Sequence, residues 1–131
     1  MKLLLDTQVI LMILSNDKRL SDDARELIAG AEHEIYYSPA SVAEIAKKHQ
    51  NSPLLLSIDE NTFNIMCVKS GLKELTLSSS AIVSALSQNN PTSRSNPFAA
   101  ILLAQAKEEG MLFVTRSKDM NDENDDSIVV I

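Results

Sequence analysis

Short apolar runs alternate along this chain with segments of helical period. Lys2-Leu3-Leu4-Leu5 is a compact apolar run ending at Asp6, the pattern of a strand buried on both faces. Asp6 or Thr7 is placed to cap a helix over 8–14, and SNDKRLS then breaks the pattern with polar residues. A second helix opens at Leu20-Ser21-Asp22-Asp23, with Leu27, Ile28 and Ala31 on one side and Gly30 near its end. Glu34-Ile35-Tyr36-Tyr37-Ser38 joins β-type side chains to flanking turn formers and predicts a strand. From Ser38-Pro39 or Ser41 a helix starts with Val42, Ile45 and Ala46 inward, and residues 49–57 form a connector around Pro53.

The second half repeats the alternation. A helix is expected at about 58–70, stopped by Gly71, then a brief strand over Lys73–Thr76 and an amphipathic helix over Ser78–Leu86. SQNNPTSRS is a loop. Asn96 caps the next helix, Pro97 suits its first turn, and Gly110 closes it. Met111–Thr115 has the composition of a buried strand, residues 117–126 form a polar, acidic turn, and Ser127–Ile131 is a final strand.

Strands alternating with helices imply βαβ units. The expected architecture is a single α/β domain over residues 1–131, a three-layer α/β/α sandwich around a mostly parallel sheet of 4–5 strands. Such sheets place their sites beyond the carboxyl ends of the strands. That directs attention to Asp6, Ser38–Glu44, the loop near 93–99, and Thr115–Asp119.

Composition narrows the function classes. Hydrophobic residues make up 44% of the chain and charged residues 23%, the balance of a globular domain. No apolar run approaches the ~20 residues that span a bilayer, and MKLLLDT turns acidic too early for a signal peptide. The single Cys67 excludes an internal disulfide framework and reads as a small buried side chain, which leads us to expect a reducing, cytoplasmic setting. A net charge of −6 argues against a tight sequence-reading DNA binder. With no Trp and 4% aromatics, a base-stacking platform is also disfavoured. An enzyme touching a few phosphates through local cations such as Lys47, Lys48, Arg94, Arg116 and Lys118 is still compatible.

LLLDT puts an acid directly after the first strand, where it serves as a helix cap if nothing else. A D-x-D-x-T phosphoryl-transfer site is excluded because Gln8 holds the second acid position, and a receiver-type phosphoacceptor lacks its paired acids. A nucleotide-binding α/β protein is disfavoured because no Gly-rich phosphate loop follows strand one. Glu44 lies between Val42 and Ile45 in PASVAEIAKK, so its carboxylate must reach solvent or find a partner. Asp122–Asp126 read as a solvated loop, Ser93-Arg94-Ser95 as an exposed loop, and His33 and His49 as surface residues.

LLLDTQVILMIL, SPASVAEIAKK, NPFAAILLAQAKEEG and LFVTRSKDM occur in that order along nearly the whole chain. Together they resemble the PIN domain, and within it the VapC-like toxins of bacterial type II toxin–antitoxin pairs. There the first motif reads D-T-H/N-V, the second S-x-x-S-x-W/A-E-I, the third D-P-F-D-R-x-L-I-A-Q-A and the fourth L-V-T-R-D-x-x-F. The resemblance implies a Mg²⁺- or Mn²⁺-dependent ribonuclease whose carboxylates hold one or two ions. It further implies a homodimer, and a cognate antitoxin whose basic or aromatic side chains enter the acidic groove. Hard cations take oxygen ligands, and Mg²⁺ is commonly held by one or two carboxylates plus waters and substrate phosphate. The ion activates water for attack on phosphorus.

Carried over position by position, Asp6 and Glu44 match the first two acids, and Asp119 matches a further acid that some members carry, so the resemblance implies Asp6 and Glu44 as metal ligands with Asp119 as a third. Thr115 and Arg116 match the T-R pair, with Thr115 orienting Asp6 or a metal-bound water and Arg116, together with Arg94, meeting substrate phosphate. The site motifs are otherwise depleted: Asn96 and Ala99 stand at the third-motif acids, Ala100 at its Arg, Ser117 at the fourth-motif acid and Gln8 at the His or Asn. Two unit charges ~4 Å apart interact by ~4 kcal/mol at an effective dielectric of ~20, so each missing carboxylate weakens a cation site. The leading expectation is therefore a VapC-like PIN domain with weakened or lost RNA phosphodiester hydrolysis. Its rival is an inactive PIN fold kept as a protein-binding or regulatory module.

Overall fold

A computed structural model describes residues 1–54, 56–87, 95–120 and 125–131. The elements follow the expected alternation. In chain order they are β1 (Lys2–Leu5), α1 (Thr7–Leu14), α2 (Asp22–Ala29), β2 (Glu34–Tyr37), α3 (Pro39–Asn51) and α4 (Glu60–Lys69). After these come β3 (Lys73–Glu74), α5 (Ser79–Ser87), α6 (Pro97–Glu109), β4 (Leu112–Thr115), a 3₁₀ turn (Lys118–Met120) and β5 (Ile128–Val130). The five strands form one sheet in the order β3-β2-β1-β4-β5, and every pairing is parallel.

Successive strand residues point to opposite faces, and β1 shows the consequence. Leu3 and Leu5 join Val9, Ile10, Ile45, Phe63 and Cys67 in one core, under α1, α3 and α4. Leu4 joins Leu102, Ala106 and Phe113 in another, under α5 and α6. All three leucines of β1 are fully buried, so the strand is apolar on both faces and the molecule is a three-layer α/β/α sandwich. Cys67 is buried as its sequence context implies, and the apolar surroundings push its thiol up to about 12. No helix among the described residues is long and apolar enough to cross a membrane.

Helix ends follow their local chemistry, with some departures from the pattern. Asp59 and Ser21 cap α4 and α2 through their side chains. Gly110 ends α6 in the left-handed region, with φ of 64°. Helix α3 runs on to Asn51 instead of yielding to a connector at His49, because Lys48 and His49 suit the negative end of a helix. His49 Nδ1 lies 2.9 Å from the Leu56 carbonyl oxygen and ties that helix end to the following segment. His33 and His49 are thus partly buried, not surface residues. Ala31 lies beyond the end of α2 and is exposed, and Ala24 is the residue that helix buries. Within the expected acidic turn after β4, Lys118–Met120 form a 3₁₀ turn.

Candidate active site

In a parallel sheet the crossover helices run back against the strands, so helices that follow or lead into strands begin at the strands' carboxyl edge. Helices α1, α3 and α6 all begin there. The order of the sheet reverses between β1 and β4, and that switch point is where the first site residues meet.

Register brings Asp6 and Thr115 together. Leu5 pairs with Val114, and the Asp6 N–H donates to the Val114 carbonyl at 2.9 Å, so the next residue on each strand is a neighbour of the other. The Thr115 hydroxyl donates to Asp6 Oδ2 at 2.7 Å, and the Thr7 N–H donates to Asp6 Oδ1 at 2.8 Å. Thr115 Oγ1 in turn accepts from the Ser117 N–H at 3.0 Å, which fixes the hydroxyl between strand end and turn. Asp6 is therefore a helix cap and an oriented, buried carboxylate at once. Burial pushes its carboxyl above the ordinary 3.8; the Thr115 hydrogen bond works against that rise, and the nearby Glu44 charge adds to it.

Glu44 reaches the same place from α3. Ser38 caps that helix by accepting from the Ala40 N–H at 3.0 Å, and Pro39 occupies its first turn. Residues three and four apart share a helix face, so Ser41, Glu44, Ile45 and Lys48 line up. Ser41 Oγ accepts from the Thr7 hydroxyl at 2.8 Å, which pins the start of α3 to the start of α1. Glu44 is 5% exposed, its Oε2 pairs with Lys48 Nζ at 2.9 Å, and its Oε1 is buried with no hydrogen-bond partner among the described residues. Deeper in, the Ser38 hydroxyl donates to Gln105 Oε1, and Gln105 Nε2 donates to the Thr76 carbonyl at 3.4 Å. A cleft of about 290 Å³ opens in front of Glu44, bordered by Lys47, Lys48, Asn51, Asn96 and Phe98.

Residues 3–123 match the sequence family described as the PIN domain. The chain belongs to the PIN domain family. No curated protein matches it in sequence. Among solved structures, its fold is similar to a chain of VapBC2 from Rickettsia felis bound to a DNA fragment from their promoter. That likeness has a TM-score of 0.62 at 13% identity and covers 100% of this chain and 98% of that one. A toxin–antitoxin complex from Klebsiella pneumoniae is similar with a TM-score of 0.61 at 19% identity, covering 97% and 95% respectively.

Against the PIN motifs, the first two acids, Asp6 and Glu44, are electrostatically coupled at the sheet edge with Thr115 in support. Asn96 does what its local sequence asks and caps α6, its Oδ1 accepting from the Ala99 N–H at 3.1 Å. Ala99 is buried and carries no oxygen on its side chain. Asp119 is exposed in the 3₁₀ turn. Arg116 donates from Nη1 to the Arg19 carbonyl at 3.3 Å, toward the segment between α1 and α2. Arg94 and residues 121–124 lie outside the described residues. Among the described residues, no group of three His, Cys, Asp or Glu side chains gathers as metal ligands would. The sequence pattern had left out two groups at this edge, the Thr7–Ser41 clasp and the pairing of Lys48 with Glu44. The second was signalled by the Glu-to-Lys spacing of four residues on one helix.

The residues present fit a hard cation. Each carboxylate oxygen has more than one acceptor site, so the hydrogen bonds from Thr7 and Thr115 leave Asp6 with capacity for a ligand bond. Among the described residues, none uses the acceptor capacity of Glu44 Oε1. Two carboxylates completed by water and phosphate oxygens make a Mg²⁺ or Mn²⁺ environment.

Proposed function

We propose that this PIN domain is the toxin-like half of a toxin–antitoxin pair, with metal-dependent RNA phosphodiester hydrolysis weakened by loss of the third-motif acids. The observation that carries the reading is the oriented Asp6 carboxylate within the field of Glu44, whose Oε1 is buried without a hydrogen-bond partner among the described residues. Asp6 and Glu44 would hold Mg²⁺ or Mn²⁺, with Asp119 adding negative charge from the adjoining turn. Bound there, the ion supplies acidity to a water and neutralises charge on the scissile phosphate. Thr115 keeps Asp6 in one orientation, while Arg116 and Arg94 serve the substrate's flanking phosphates. The weakening follows from Asn96 and Ala99: the first spends its side-chain oxygen on the helix cap, and the second has none to give.

The partner reading has its own support. A groove of about 320 Å³ beside α1 has a mixed lining, with Leu11, Leu14, Leu56, Ile58 and Met66 next to Gln8, Asp17 and Arg19, a surface compatible with a protein partner. The antitoxin would place basic or aromatic side chains in the acidic groove, and a second copy of the chain would complete a homodimer.

RNA cleavage by the purified full chain in Mn²⁺ tests the enzyme reading. Slow cleavage is expected, stopped by chelation, abolished in Asp6→Asn and raised about tenfold or more in Ala99→Asp. Cleavage that Asp6→Asn leaves unchanged would contradict it. Silence in both the native chain and Ala99→Asp would favour an inactive PIN fold that acts by binding protein alone.

A further inference from the structure

A buried carboxylate has to be neutralised, and in this site part of the neutralising charge is already tethered to the chain. Lys48 Nζ lies 2.9 Å from Glu44 Oε2, one helical turn along α3. Its positive field also reaches Asp6, where it opposes the effect of burial on the carboxyl. Glu44 is thus divided: one oxygen holds an ammonium, and the other is buried without a hydrogen-bond partner among the described residues. The two ends of the ion pair differ in freedom. The Glu44 side chain is 6% exposed, whereas the Lys48 side chain is 52% exposed and flexible along its stem. Both residues line the cleft of about 290 Å³, which gives the lysine somewhere to go.

We propose that Lys48 is a resident counter-ion that competes with a divalent cation for Glu44, so that metal enters as the ammonium swings out into the cleft. The proposal rests on the reading of Asp6 and Glu44 as the metal-holding pair. An ammonium in hydrogen-bonding contact with Glu44 repels a divalent ion on the same carboxylate, and it occupies space the ion's water shell needs. The same contact favours the metal-free fold, because without Lys48 the buried Glu44 charge is left uncompensated. Loss of the lysine charge therefore has two linked effects: a less stable empty protein and a tighter metal site.

The test is Mn²⁺ binding to the full chain, read from the paramagnetic resonance signal of free Mn²⁺, with thermal unfolding of the same samples. Lys48→Met keeps most of the side-chain stem and removes its charge, Lys48→Arg keeps the charge, and Glu44→Gln removes the carboxylate. Lys48→Met is expected to bind Mn²⁺ about tenfold or more tightly than the native chain, and Lys48→Arg no more tightly. Mn²⁺ is expected to raise the melting temperature of Lys48→Met by more than that of the native chain, and Glu44→Gln to lose binding. If Lys48→Met binds no better than the native chain while Glu44→Gln abolishes binding, the competition is overturned and the metal pair stands. If neither the native chain nor Lys48→Met binds Mn²⁺, the metal pair falls and the role of Lys48 falls with it.

Discussion

Thr115 does two jobs with one oxygen, donating to Asp6 and accepting from the Ser117 N–H. Thr115→Val keeps the shape and removes both, leaving a buried carboxylate oxygen and a backbone N–H short of partners. The expected cost is roughly 1–3 kcal/mol in urea unfolding, with Thr115→Ser recovering most of it. Asp6 itself gives a pH signature in the metal-free protein. Its carboxyl is raised above 3.8 by burial first and by Glu44 as well. The protonated form therefore favours the fold: its stabilisation is complete below the ordinary value and is lost as pH rises through the raised one. Asp6→Asn escapes that loss, so its stability relative to the native chain should grow as pH rises from the ordinary carboxylate value through the raised one. Urea midpoints across a pH series follow the gain, and a difference that stays constant with pH would refute it. A substitution that stabilises the fold while abolishing activity is the expected signature of a site carrying strained charge.

At the scale of elements, α6 separates what the fold needs from what the chemistry needs. Its ends are sound: Asn96 caps one and Gly110, at φ of 64°, closes the other. Asn96→Ala should cost about 1 kcal/mol through loss of the cap, while Asn96→Asp retains it. Gly110→Ala should cost about 1 kcal/mol or more, because alanine is strained at that backbone angle. Both are measured by chemical unfolding. These ends were plain in the sequence because capping depends on residues adjacent in the chain. The end of α3 and the extent of β3 were less plain. α3 continues through His49 because its favourable last turn and its tie to Leu56 outweigh the polar composition there. β3 pairs at only two residues, Lys73 and Glu74, which lie at the sheet's outer edge. Partial burial of His33 and His49 depends on packing between elements, and no local pattern reports that.

The whole molecule shows why the site was only partly legible. Alternating strands and helices implied a parallel sheet, and a parallel sheet implied chemistry at its carboxyl edge, so Asp6, Glu44 and Thr115 could be singled out one by one. Their meeting depends on the β1–β4 register and on the Thr7–Ser41 clasp, which join residues distant in sequence. The Lys48 partner of Glu44 was implied by their spacing on α3, whereas the cleft in front of them depends on α3 and the start of α6 together. Assembly belongs to this scale too. Helix α5 exposes Ile82, Val83 and Leu86, with Val83 63% exposed, and the proposed homodimer has an apolar stripe to bury there. Val83→Glu combined with Leu86→Glu should convert a dimer to a monomer in light scattering without loss of fold.

Anomalous diffraction from a crystal soaked in Mn²⁺ tests the proposed divalent-cation site of Asp6 and Glu44. A peak shared by the two carboxylates is expected, with the Lys48 ammonium moved off Glu44 into the cleft. A featureless map at that position, with Lys48 still paired to Glu44 under saturating Mn²⁺, would contradict it.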